Sequence, residues 1–542
     1  MVRRIYVLLL CWLAIGASFA GRAAADSLED SARALAIPET QRETLAHIRD
    51  LGDPAWKDAL QALKEGALYS WKGQLLILDE SGTFKDLGGN PLLDASGQPL
   101  MPEADLEQVP LEEANISLVQ RALDVIALFD PNPKTRQAAI MKLANLADAS
   151  VMGLLVRALE RERNPVVQPM LVEAVARLRL SDPDPLLRAQ AVKFFSETRS
   201  EAALVPLKAL LEREEEAALK RAITQVIGEI ERYLLFRNAV GYVFNGLSLA
   251  SILLIMSLGL AITFGLMGII NMAHGEMLML GSYTAYVIQE FFSSHLPAQQ
   301  DYFFFVALPL SLLVVGGVGL VLERGLLRFL YARPLESLLV TWGIGMLLQQ
   351  GVRLYFGDQT SVNAPTWFRG GWEIMAGLIF PYSRLFIIAL SLLCLGVVYL
   401  LLYRSDTGLK IRAVMQNRDI AGCMGVSTPR IDAFTFALGT ALAGLAGCAL
   451  SLVGTVDPEV GKTYIVDSFM VVVLGGVGKV LGTILASLGI GVANKLLEPS
   501  ISGTAAAVYA KVGILLLVIF FLQLRPTGLF PARERSTEAV GR

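Results

Sequence analysis

Three side chains able to hydrogen-bond a solute stand close together in one apolar stretch. They are Asn271, His274 and Glu276, within FGLMGIINMAHGEMLMLGSY from Phe264 to Tyr283. An amide, an imidazole and a carboxyl offer both donors and acceptors. From Asn238 to Gly275 the chain holds no Asp, Glu, Lys or Arg. One membrane helix needs about 20 residues, and this run is too long for one and too short for two with a turn. The helix is therefore expected to cross once and break, with Gly265, Gly268 and Gly275 flanking the polar residues. Irregular backbone survives at membrane depth only when buried in protein or lining a wet cavity, and transporters place their solute path at such breaks. Each residue also has a purely structural reading. Asn and His in membrane helices bond neighbouring helices, and Gly permits close packing. Glu276 favours a path for the stretch as a whole, because an ionisable group at membrane depth points to function; a position at the water boundary is the alternative.

The elements that hold these residues are set by composition. Of 542 residues, 54% are hydrophobic and 18% charged, with a net charge of -3. Mean hydropathy is +0.52. The charge balance gives no sign of a nucleic-acid partner. Charges crowd before Arg237 and thin out after it, so a soluble region precedes a polytopic membrane region. Cys11, Cys394, Cys423 and Cys448 have no metal-type or disulfide-framework spacing.

Arg3 and Arg4, the apolar run Ile5 to Ala20 and Ala23-Ala24-Ala25 have the pattern of a secretory signal peptide, residues 1–25. Cleavage there would put the soluble region outside the cytoplasm, in the periplasm of a bacterium. Residues 26–115 are a mixed segment. Leu35, Leu45, Ile48, Leu51, Leu60 and Leu63 have helical spacing, and residues 71–100 read as short strands with turns. Residues 116–237 repeat. Asn132-Pro133 and Arg136 answer Asp184-Pro185 and Arg188, and Leu154 to Glu162 answers Pro206 to Glu214 at the same offset. Units of three helices breaking at Asn-Pro or Asp-Pro turns resemble HEAT or armadillo repeats, which stack and present a surface. A docking face and a plain spacer fit this pattern equally.

Segments of spanning length occur near 239–262, 275–292, 303–322, 337–356, 381–403, 431–454, 466–480, 482–497 and 507–524, with 466–497 open to a re-entrant reading. Arg324, Arg328 and Arg333, then Arg404 to Arg430, then Arg525, Arg533 and Arg535 mark three cytoplasmic segments. Nine crossings from an external Arg237 place the same segments inside. External connections then fall at 293–302, 357–380, 455–465 and 498–506. Residues 404–430 are too polar to span and hold two short helical pieces, near 408–416 and 418–425. A short cytoplasmic helix suits docking in a groove on a separate motor; an ordinary basic loop is the plainer reading. The chain carries no P-loop of its own, since Gly461-Lys462-Thr463 lacks the upstream glycine. No catalytic or metal-binding constellation stands out, and no cofactor is expected.

Several ordered motifs resemble the permeases of branched-chain amino acid ABC importers. They are Asn271 to Glu276, Thr341-Trp342-Gly343-Ile344-Gly345, Thr407-Gly408 through Arg412, Asn417-Arg418-Asp419, Met424-Gly425-Val426, Phe434 to Gly447, Gly475 to Gly478, and Arg525 to Phe530. The likeness covers roughly 240–530. With its exported extension, the chain is similar to the larger permease of bacterial urea ABC importers. The resemblance implies an all-α fold: a polytopic bundle over 238–530, a cytoplasmic tail over 531–542, and a HEAT/armadillo-like exported domain in front. It implies an inner-membrane transport subunit, not an enzyme. Its partners would be a second homologous permease, two cytoplasmic ABC ATPases and a periplasmic substrate-binding protein. Asn271, His274, Glu276 and Thr341 would line the pathway or its gate. Gly408, Arg412, Arg418, Asp419 and Gly425 would couple to the ATPases. Urea is the expected solute. A branched-chain amino acid or short amide is the transport alternative, and a membrane-anchored scaffold or sensor acting through the repeats is the alternative of another class.

Overall fold

The structure is a computed structural model. It describes residues 31–530 apart from 80–81, 94–99, 101–105, 147–150, 269–270, 331–332, 502 and 504. The expected signal peptide and the tail from 531 lie outside the described residues. The chain divides into two compact units, one ending at Leu234 and one beginning at Leu235.

In the first unit, α1 (Pro38–Leu51) and α2 (Lys57–Glu65) each end at a glycine in the left-handed region, Gly52 and Gly66, the usual helix stop. Four short strands come next: β1 (Leu68–Trp71), β2 (Gln74–Leu78), β3 (Phe84–Lys85) and β4 (Leu106–Gln108). They form an antiparallel sheet in the order β3-β2-β1-β4. The strands near 71–100 were expected; β4, only three residues long, was not legible. Leu35, Leu45, Ile48, Trp56, Leu60 and Leu63 form a core with Val119 and Ile126 of α3 (Glu113–Ile126).

The next helices are α4 (Pro133–Leu146), α5 (Met152–Arg161), α6 (Val167–Arg179), α7 (Pro185–Thr198) and α8 (Leu204–Arg213). Their anchoring repeats at the spacing seen in the sequence. Arg136 makes a forked pair with Glu162 at 2.7 and 3.0 Å and donates to the Asp130 and Pro131 carbonyls. Arg188 makes the same pair with Glu214 at 2.9 and 3.1 Å and donates to the Asp182 and Pro183 carbonyls. In both, a planar guanidinium ties a helix start to the end of the following helix. The Arg136 and Arg188 hydrogen bonds hold the Glu162 and Glu214 carboxyls below the usual glutamate value, against the opposing pull of burial.

The second unit holds most of the long helix α9 (Ala217–Met267), then α10 (His274–His295), α11 (Phe303–Gly325), α12 (Pro334–Phe356), a hairpin β5 (Gly371–Met375) and β6 (Leu378–Pro381), and α13 (Tyr382–Arg404). Two short helices, α14 (Asp406–Gln416) and α15 (Arg418–Cys423), precede α16 (Thr428–Leu450), α17 (Val460–Gly475), α18 (Val480–Leu497) and α19 (Ala506–Leu524). Each of the nine expected segments falls mainly on a helix, with 451–454 and 476–479 outside them. Six helical stretches among the described residues are long and apolar enough to cross a membrane: Ala217–Gly265, Pro297–Phe329, Tyr382–Arg404, Thr428–Leu450, Val480–Ser500 and Ala506–Leu524. The other three helices, α10, α12 and α17, carry buried polar residues or are short. At 16 residues, α17 is about 24 Å long.

Helix α16 is buried along most of its length. Small residues let its backbone touch its neighbours. A Cβ on Gly281 of α10 would lie 1.9 Å from the Gly444 carbonyl oxygen of α16, a distance no side chain tolerates. Ser282 Oγ donates to the Gly447 carbonyl at 2.8 Å beside this contact. The connection expected outside at 455–465 instead returns into the bundle. Val456, Val460 and Ile465 are buried, and Gly461 packs against Gly275 with room for no Cβ on either. A run containing Asp457, Glu459 and Lys462 reads as external, and the glycine contact that draws it inward is invisible in hydropathy.

Candidate functional site

Helix α9 stops at Gly268, whose φ of +65° suits glycine. Helix α10 starts again at His274. In the gap, Asn271 Oδ1 accepts from the Ala273 N–H at 3.1 Å, which prepares the new helix start. Met272 N–H donates to Thr341 Oγ1 of α12 at 3.2 Å. Thr341 in turn donates to the Leu338 carbonyl at 3.0 Å. The break is thereby tied to α12.

Asn271, His274, Glu276 and Thr341 are all buried. Glu276 is not at an open boundary: a Cβ on Gly345 would sit 3.1 Å from its carboxyl carbon. His274 Nε2 faces the Met256 carbonyl at 3.1 Å. A carbonyl only accepts, so Nε2 carries the hydrogen and the Nδ1 of the neutral ring is an acceptor. That Nδ1 and the Asn271 Nδ2 donor have no protein partner. Buried polar atoms normally have one, so each keeps an unused hydrogen-bonding capacity. The first turns of α10 and α17 meet at Gly275 and Gly461. Two helix N-termini there present partial positive charge, which favours a solute oxygen.

The structure thus brings the four expected pathway residues together. It also adds a row. Ser337, Thr341, Gly345, Gln349 and Arg353 lie four apart on α12, one above another on a single face. Ser337, Thr341 and Gln349 are almost wholly buried, whereas Leu339, Leu347 and Leu354 on other faces are exposed. The spacing was readable in the sequence, but its polar members are diluted among 23 mainly apolar residues. At the row's end, Arg353 pairs with Asp358 at 2.9 Å and Glu459 at 3.2 Å. Phe356 packs on Tyr283 and Tyr286 with ring centroids 4.9 and 5.9 Å apart.

The second expected set lies on α14 and α15. Gly408 sits in the corner after α13, where a Cβ would be 2.1 Å from the Leu401 carbonyl oxygen. Its N–H donates to Ser405 Oγ at 3.0 Å, the cap of α14. Arg412 lies over the Tyr403 ring at 5.1 Å. It borders a cleft of about 740 Å³ with Gly265, Met415, Gly478 and Lys479. Arg418 forms a forked ion pair with Asp432, which is wholly buried at the start of α16. Asp419 and Gly425 are exposed, Gly425 at a φ of +83°. Sequence reasoning missed Asp432 and missed the apolar side chains that α14 and α15 leave bare. Leu409, Ile420 and Met424 are 60%, 61% and 79% exposed. Three apolar residues within a basic loop were the available signal.

The family described as "Branched-chain amino acid transport system / permease component" matches residues 242–522. The high-affinity branched-chain amino acid transport system permease protein BraD of Pseudomonas aeruginosa is 29% identical over 300 residues, 54% of this chain and 95% of that protein. The permease protein LivH of Escherichia coli K12 is 28% identical over 313 residues, 56% of this chain and 98% of LivH. The permease protein LivM of the same strain is 26% identical over 314 residues, 52% of this chain and 69% of LivM. No solved structure matches.

Proposed function

The chain belongs to the branched-chain amino acid transport system permease family, and from that premise we propose that it carries urea inward across the bacterial inner membrane as one permease of an ABC importer. The carrying observation is the pair of buried atoms without partners, Asn271 Nδ2 and His274 Nδ1, at a helix break beside Glu276. Urea has no net charge, so its route needs donors and acceptors rather than a counter-ion. Asn271, His274, Glu276 and Thr341 line that route. Gly408, Arg412, Arg418, Asp419 and Gly425 shape the face that receives the ATPases, and the bare Leu409, Ile420 and Met424 supply its apolar contacts. The other partners are a second permease and a periplasmic binding protein.

The region before Arg237 is read as an exported domain whose residues 116–237 are HEAT/armadillo-like. The repeated Arg–Glu anchors support that reading. The names of the relatives favour a second reading of the solute, a branched-chain amino acid. Uptake of labelled urea and of labelled leucine by a strain deleted for this chain separates the two. Loss of urea uptake with leucine uptake intact is expected; unchanged urea uptake defeats the proposal. In a variant lacking 26–235 but still exported, retained transport excludes a scaffold or sensor role as the main one.

A further inference from the structure

We propose that Gln349 is a further solute-contacting residue, and that the row it belongs to selects neutral primary amides over amino acids. This rests on the permease reading above. Gln349 is 2% exposed, and its Nε2 has no protein partner. Burying an amide donor unpaired is costly. Its place in the row gives the donor a use. Thr341 touches the Asn271 turn, and Gly345 faces the Glu276 carboxyl. Gln349 stands one turn further along the same face, about 6 Å on. Arg353, already engaged by Asp358 and Glu459, comes one turn later.

A solute passing from the Arg353 end meets an amide donor at Gln349, acceptors at Glu276 and His274, then a second amide donor at Asn271. A primary amide has one carbonyl oxygen for the donors and N–H groups for the acceptors. Each station makes the hydrogen bonds that the one before it gives up. A free amino acid adds a carboxylate, and the row offers it no unpaired cationic side chain. Gly345 lets α12 come close to the Glu276 carboxyl, since even a Cβ there would lie 3.1 Å from it.

The test uses the full chain in its assembled importer in proteoliposomes, with urea, acetamide or leucine supplied at saturation. Uptake and ATP hydrolysis are measured together. With Gln349→Leu, urea and acetamide uptake should fall about tenfold, the effect of one hydrogen bond left unmade. Hydrolysis should stay within twofold. Gln349→Asn, which keeps the donor, should restore most of the uptake. The inference is overturned if Gln349→Leu leaves uptake within twofold of the unsubstituted complex. It is also overturned if uptake and hydrolysis fall together in both variants, or if leucine is carried as fast as urea and is slowed equally. Absence of any ATP-driven uptake by the unsubstituted complex would defeat the permease reading itself, which the Gln349 results alone would leave standing.

Discussion

At the scale of single residues, the site is defined by atoms left without partners and by side chains left out. Gly345 shows the second kind. The three atoms nearest a Cβ there are the far end of Glu276, a flexible side chain, so Gly345→Ala should fold and assemble normally while displacing the carboxyl. We expect urea uptake to fall by about tenfold, as for one disturbed hydrogen bond. Gly343→Ala, where a Cβ meets nothing within 4 Å, should leave both membrane level and uptake unchanged. Equal uptake in the two variants would remove Glu276 from the route. Asn271, His274 and Glu276 could be picked out from sequence because each is polar in an otherwise apolar run. Gln349 and Asp432 could not. Gln349 gains meaning only from its stacking above Thr341 and Gly345, and Asp432 only from Arg418, 14 residues earlier.

At the scale of elements, the helix break and the paired short helices α14 and α15 were legible, because glycines, caps and the switch from apolar to charged residues are local signals. Ser405 and Asn417 cap α14 and α15 as such residues should. The inward return before α17 was not legible, since it depends on one glycine meeting another across the bundle. The bare side chains of α15 bear the element's prediction. Ile420→Asp with Met424→Asp leaves every described hydrogen bond of α15 in place and puts charge where a motor would seat. ATP-driven uptake should fall at least tenfold, with membrane level unchanged and the ATPases no longer copurifying. Copurification at the normal level would place the docking face elsewhere.

At the scale of the whole molecule, two units have separate cores, so unfolding should show two transitions. Only the first unit carries the paired Glu162 and Glu214. Their carboxyls titrate below the usual glutamate value of 4.5, chiefly through the hydrogen bonds from Arg136 and Arg188. Their contribution is therefore complete above that value and is lost as pH falls through the lower, folded-state value. The first unit's transition, followed by hydrogen exchange of residues 152–213 in the full chain, should be flat at neutral pH and drop in acid below about pH 4.5. Glu162→Gln should lower its midpoint at pH 7 by about 4–8 °C, as expected for about 2 kcal/mol in a unit of this size. It should also blunt the acid drop. A transition indifferent to both changes would make the pairs ornamental.

The same pairs bear on how such a chain could grow. Asp182, Asp184, Arg188 and Glu214 repeat the turn bonds of Asp130 and Asn132 and the Arg136–Glu162 pair, and Arg188 repeats the carbonyl contacts of Arg136. The Arg–Glu fastening lies within each copy, and Asp130 of the first also accepts from Lys57 upstream. A tandem duplication of one such stretch would arrive already able to hold itself, so this part of the gene could lengthen or shorten in whole modules while the membrane-embedded half was left untouched.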